Sequence, residues 1–256
     1  GRVKWSWLSV VTIVAIFSLG LGVLLSQNRG YGASNAIDSD ADVFVLSIDG
    51  VGANAISKWS KESLAQTANL DAKMDSCIQY TDAITVFPEV LPAHTAMLSG
   101  IYPGQSGVID NESVFRYQFD SISEKFAQEG YATAAFVSNK ALDTSNGFSQ
   151  GFQLFDNDRS SFFVGEEKLG LFAWVKRNMG YHSLRPFGRT LRRAKEWLQQ
   201  YRSKPIFAWI QLQIEEELSP KEYAQKVEEL DQELGAFFRF LDQREVPRKR
   251  VLIITS

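Results

Sequence analysis

A carboxylate at the end of an apolar run is the first group in this sequence that could do chemistry. "DVFVLSI" runs from Asp42 to Ile48 and is followed by Asp49-Gly50. The Asp49 carboxylate therefore stands at the end of a buried strand, where it is costly without a partner or a metal. Asp49 reads either as a ligand for a divalent metal or as a cap on the turn "DGVG". A second acidic group, Glu215-Glu216-Glu217, reads either as oxygen ligands for a hard cation such as calcium or magnesium, or as a solvated run at a helix entrance, where negative charge suits the dipole. Two hydroxyls, Thr85 and Thr95, lie in the Pro-bounded stretch "TVFPEVLPAHTAMLSG". A hydroxyl becomes a nucleophile only beside a base or a metal, and both read as structural residues. His94 follows two residues after Pro92. A lone His in the first turn of a helix reads as a hydrogen-bonded structural group before it reads as a base. Finally, "RPFGRTLRRAKEW" sets Arg185, Arg189, Arg192, Arg193 and Lys195 at three- and four-residue steps. That is one basic helical face, suited to solvent, to anionic lipid or to an acidic partner.

The elements that must position these groups alternate in type. The strand over 42–48 is followed by a helix over "LPAHTAMLSG", with Pro92 near its start and Gly100 past its end. "SISEKFAQEG" predicts a second helix, with Ser121 and Glu124 spaced as a capping box and Gly130 as the stop. A strand over "YATAAFVS" comes next, then helical stretches around 166–179 and 187–202, then the strand "PIFAWIQLQ" at 205–213. The longest helix runs from Pro220 to about Gln243, with Val227, Leu230, Leu234, Phe237 and Leu241 on one face. "RVLIITS" is the last strand. This order predicts an α/β domain whose mainly parallel central sheet is flanked by helices. In such sheets ligands bind at the carboxyl ends of the strands, which is where Asp49 sits.

Composition limits the partners. With a net charge of -3, 45% hydrophobic and 22% charged residues, the chain is an ordinary globular protein without the basic excess of a nucleic-acid binder. The single cysteine, Cys77, excludes an internal disulfide. From Trp5 to Ser26 the sequence carries no charge, with Arg2 and Lys4 before it and Arg29 after it. About 20 apolar residues suffice to cross a bilayer, so residues 1–26 are expected to form a membrane anchor with a cytoplasmic N-terminus. A signal peptide cut after Ala36 is the competing reading. Either way the remainder is extracytoplasmic: a tether over 27–40, rich in Gly, Ser, Asn and Asp, and an α/β domain over 41–256. The domain is expected to continue past Ser256, since the sequence stops on a strand.

Four pieces, in order, resemble the sulfatase and alkaline-phosphatase superfamily, especially its membrane-anchored bacterial sulfatase-like branch. They are "VFVLSIDG"; "LPAHTAMLSGIYPGQSGVIDN", similar to "TLPSHxxLLTGxYPxxHGVxDN"; "ISEKFAQEGYATAAFVSNKALDTSNGFSQGFQLFDN", similar to a helix, a strand and a "GFxxGFxxFDD" turn; and "KPIFAWIQLQ" with a long helix and "RVLIITS", which resembles the approach to "TSDHGE". The resemblance implies a fold like that of alkaline phosphatase. It also implies hydrolysis or transfer of sulfate and phosphate esters by a Ser, Thr or formylglycine nucleophile beside one or two divalent metals.

Carried over residue by residue, the resemblance makes Asp49 the first metal ligand, His94 a group that orients the loop, and Asn111 an amide that steadies a phosphoryl or sulfuryl oxygen, the last reading equally well as a turn residue. The nucleophile falls on Val90, which has no lone pair to offer. Where relatives carry "HLxDPHxPY", this chain has "QLQIEEELSP". Gln211 thus replaces one imidazole, and Glu215, Glu216 and Glu217 stand where the second would be. These departures from the family pattern, with the apolar N-terminal stretch, lead to the expectation of a membrane-anchored, extracytoplasmic accessory, scaffolding or binding subunit that is catalytically inactive and holds no cofactor. It would contact the bilayer through residues 5–26 and other subunits of a membrane complex, with no nucleic acid. The alternative is a metal-dependent hydrolase or transferase with a non-standard nucleophile and a bound divalent cation.

Overall fold

Apolar runs too short for a helix and bounded by turns form the strands here, and the periodic segments between them form helices. A computed structural model describes residues 40–158, 184–215 and 217–256. Within these residues the strands are β1 (Asp42–Asp49), β2 (Ala132–Val137), β3 (Leu154–Asp156), β4 (Ile206–Gln213) and β5 (Arg250–Thr255). The helices are α1 (Ala68–Met74), α2 (Val90–Ser99), the single turn α3 (Pro103–Ser106), α4 (Ile122–Gln128), α5 (Phe187–Gln200) and α6 (Pro220–Gln243). The expected anchor over 5–26 and the helix around 166–179 lie outside the described residues. No described helix is long and apolar enough to cross a membrane.

The strands form one parallel sheet in the order β3-β2-β4-β1-β5. This is the mainly parallel α/β architecture that the alternation of elements predicts. Successive side chains along a strand take opposite faces. Phe44, Leu46 and Ile48 of β1 pack with Leu191 and Leu198 of α5 and with Val227, Leu230, Leu234 and Phe237 of α6. On the other face Val45 packs partly beneath a cluster that joins Leu91 and Leu98 of α2 to Phe148 and to Trp209 of β4. The register pairs Ser47 with Gln211, and Gln211 with Val137. Ser47, Asp49, Trp209 and Gln211 therefore share the α2 face, near the carboxyl ends of the central strands.

The expected helix over 91–100 forms as α2, ended by Gly100 in the left-handed region at φ 71°. The Ser121–Glu124 capping box closes the start of α4. A second box, Ser219 with Glu222 and Pro220 at the first helical position, opens α6. Three elements go beyond the sequence-based expectation: the single turn α3, β3 and α1. β3 forms where only a turn is expected, because three residues suffice to pair with Ala134, Ala135 and Phe136 of β2. α1 forms without a cap of its own. Its first turn is held from α6 by the buried Asp231 carboxylate, which accepts from Asn69 N (3.0 Å), Leu70 N (2.8 Å) and Asn69 Nδ2 (2.8 Å). The approach is close enough that a Cβ on Gly235 would meet Asn69 Oδ1 at 2.1 Å. Asp231→Ala strips these donors of their shared acceptor and is expected to cost about 2–3 kcal/mol. Urea unfolding at constant m-value measures it.

Candidate functional site

The carboxyl ends of β1, β2 and β4 meet the start of α2, and the groups singled out from sequence are distributed around this junction. Asp49 ends β1. Gly50 follows at φ 84°, a conformation that suits glycine. It lets the chain turn away while Ile214 N donates to Asp49 O at 3.0 Å.

The Asp49 carboxylate is already engaged. Gln211 Nε2 donates to Asp49 Oδ2 at 2.7 Å. The other oxygen, Oδ1, lies 3.7 Å from His94 Nε2. His94 is buried and sits one turn into α2. Its Nδ1 is 2.8 Å from Val90 O and its Nε2 is 3.1 Å from Ser47 Oγ. A carbonyl can only accept, so Nδ1 carries the hydrogen and Nε2 of the neutral ring is the acceptor. Trp209 Nε1 donates to Ser47 Oγ at 3.0 Å, which leaves the Ser47 hydroxyl hydrogen to His94. The resulting chain, Trp209 to Ser47 to His94 to Val90 O, fixes the imidazole as a strut between β1, β4 and α2. In this arrangement His94 has no ring atom free to take a proton from a reactant.

Val90 is the first residue of α2, after Glu89 as N-cap. Its side chain is half-buried and packs against the Leu91, Phe115 and Trp209 cluster. It contributes methyl groups where the resemblance puts a nucleophilic oxygen. Asn111 turns its carbonyl to the same helix start: Leu91 N donates to Asn111 Oδ1 at 2.9 Å, and Asn111 N donates to Glu89 Oε2 at 3.0 Å. Its carbonyl therefore works as a cap supplied from another loop. Neither nearby threonine replaces the missing oxygen. Thr85 is exposed and its Oγ1 donates to Phe87 O at 2.8 Å, whereas Thr95 is wholly buried within α2.

Whether divalent metal fits these residues can be tested from the donor set. Among the described residues, the polar side chains that meet Asp49 are a donor amide and an imidazole held by its neighbours. A cation needs several converging lone pairs. Among the described residues no group of three or more His, Cys, Asp or Glu side chains comes together. Glu215 and Glu217 are exposed beyond the end of β4, and Glu216 lies outside the described residues. The described residues do not fit a metal.

The basic stretch divides in a way the sequence does not show. Arg185 precedes α5 and is buried. Its NH1 donates to Asp156 Oδ1 at 2.7 Å and to Asp156 O at 3.0 Å. Arg193 Nε donates to Asp156 Oδ2 at 2.8 Å. Burial pulls the Arg185 pKa below the usual guanidinium value, against the pull of Asp156 and with Arg189 and Arg193 lowering it further. Two members of the expected basic face thus hold the end of β3, and Arg192 stays largely in solvent. The signal for this was the pair of acidic residues in "FDND", which sequence reading treats as part of a turn.

Comparisons with known proteins agree with the architecture. The type I phosphodiesterase / nucleotide pyrophosphatase family matches residues 43–167. No curated protein matches the chain in sequence. Among solved structures, a phosphonate monoester hydrolase of Agrobacterium radiobacter is similar at a TM-score of 0.63 and 14% identity, over 84% of this chain and 62% of that one. A Vibrio parahaemolyticus protein of the alkaline phosphatase superfamily gives 0.61 and 17%, over 84% and 53%. The murine ectonucleotide pyrophosphatase / phosphodiesterase 5 gives 0.59 and 16%, over 83% and 56%. The chain thus spans less than two thirds of the length of each. At these identities the likeness is one of fold.

Proposed function

We propose that this chain, whose fold resembles that of a phosphonate monoester hydrolase and of an alkaline-phosphatase-superfamily protein, belongs to the sulfatase and alkaline-phosphatase superfamily and uses the fold as a non-catalytic accessory or binding module. It is attached to a membrane through residues 5–26, with the α/β domain on the extracytoplasmic side. The observation that carries this reading is Val90. A covalent mechanism needs an oxygen or sulfur nucleophile with a group to activate it. The start of α2 presents an aliphatic side chain there, and the neighbouring His94 and Asn111 are occupied in holding the helix. The charge-free stretch before the tether supports membrane attachment.

Phosphodiester, phosphonate monoester and sulfate ester substrates offered with divalent cations test the reading. No turnover above the uncatalysed rate is expected. Val90→Thr, which exchanges one methyl for a hydroxyl, is expected to change this by less than about tenfold, because catalytic groups that act as a unit are not restored singly. Recovery of the domain with other membrane proteins after mild detergent extraction would support the accessory role.

The Asp49 carboxylate at the strand end favours a second reading, a hydrolase or transferase of sulfate or phosphate esters with a non-standard nucleophile. Turnover that disappears in Asp49→Ala would select it and sink the first.

A further inference from the structure

Among the described residues the site does not assemble a set of metal ligands, yet its central carboxylate is not left bare. We propose that the Gln211 carboxamide is a built-in substitute for a cation, holding Asp49 by hydrogen bonding so that the end of the sheet is complete without metal. The proposal deepens the non-catalytic reading and rests on it for context, but its test reads stability rather than turnover, so the two can fail separately.

The orientation of the amide is fixed by its surroundings. Gln211 is fully buried, and its Oε1 accepts from Ser138 N and Asn139 N, both at 2.9 Å. A flipped amide would set its NH2 group against two backbone donors, so nitrogen must face the other way. There Nε2 meets Asp49 Oδ2 at 2.7 Å and Leu212 O at 3.2 Å. Each polar atom of the side chain is used. The end of β2 orients Gln211, Gln211 orients Asp49, and Asp49 ends β1. A cation at this carboxylate would tie neighbouring strand ends together in the same way. The amide does so with partial positive charge and no ligand to lose. Asn139 extends the arrangement, since its Nδ2 donates to Gln213 Oε1 and its Oδ1 accepts from Ala141 N.

Gln211→Glu isolates the idea. It keeps an oxygen for the two backbone donors and exchanges only the NH2 group for a second carboxylate oxygen facing Asp49. Thermal unfolding is followed in EDTA and in millimolar magnesium, calcium or manganese. The unaltered protein should have the same Tm in all four. Q211E should lose at least about 5 °C in EDTA and recover most of it with one of the cations, which would then bridge the two carboxylates. The double variant D49N/Q211E, in which amide and carboxylate change sides, should recover without any cation, and it also covers the case in which Q211E alone does not fold. A Tm of the unaltered protein that rises with a cation would overturn the proposal. So would a Q211E as stable in EDTA as its parent, or one that neither cation nor D49N recovers.

Discussion

Asp42→Ala should lower the stability of the domain by about 3–5 kcal/mol, the cost of stranding a buried charge. Asp42 is the first residue of β1 and is almost wholly buried. Its Oδ2 accepts from Arg244 NH1 at 2.6 Å, and its Oδ1 accepts from Arg248 Nε at 3.0 Å and from Ile206 N at 3.2 Å. Arg244 also donates to Leu198 O at 3.3 Å and to Tyr201 O. One carboxylate thus joins the starts of β1 and β4, the end of α5, the C-cap of α6 and the approach to β5. Without it Arg248 can swing toward water, but Arg244, only 5% exposed, remains among carbonyls with its charge uncompensated. For a domain of this size the expected loss is a fall in Tm on the order of 10 °C. Asp42→Asn should cost less, because the amide keeps an acceptor for one partner. A loss below about 1 kcal/mol in urea unfolding of Asp42→Ala would show that water reaches both guanidiniums.

That network shows what sequence can and cannot reveal about such a fold. β1, β2, β4 and α6 are legible because their hydrophobic patterns extend over one whole face or two, and periodicity is a local property. α4 is legible because Ser121 and Glu124 cap it within four residues. α1 is not, since its N-terminal acceptor is Asp231, far along the chain on α6. The same holds at the candidate site. The absence of an oxygen at Val90 can be read from one letter. That Gln211 gives a donor to Asp49 cannot, because the amide's direction depends on Ser138 and Asn139, just past the end of β2. Nor does sequence reveal that Arg185 and Arg193 turn inward, since spacing reports a helical face but not what packs against it.

The Arg185 contact leads to the second large effect. Asp156→Ala is expected to cost about 3–5 kcal/mol and to loosen the end of the sheet that carries Asp49. Asp156 ends β3 with its side chain 3% exposed, while the Arg185 side chain is fully buried. Both Nε and NH2 of Arg185 already lack hydrogen-bond partners, so NH1 and its bonds to Asp156 carry the guanidinium's polar contacts among the described residues. Removing the carboxylate deletes the influence that raises the Arg185 pKa and leaves burial, Arg189 and Arg193 acting against its charge. Arg193, 46% exposed, can relax into water; Arg185 cannot. Paired replacement separates charge from packing. Asp156→Leu with Arg185→Met, which fills similar volume without ions, should recover most of the loss, since apolar replacement of a buried pair is often neutral or stabilising. The effect should also be local in hydrogen exchange. Arg185 N donates to Ser138 O at 3.3 Å, and Ser138 N donates to Gln211 Oε1. In Asp156→Ala the amides of Ser138 and Asn139, just past the end of β2, should therefore lose more protection than those of Ala132 and Thr133 at its start. Equal loss along β2 would mean that Asp156 supports the fold as a whole and has no particular hold on the end where Gln211 meets Asp49.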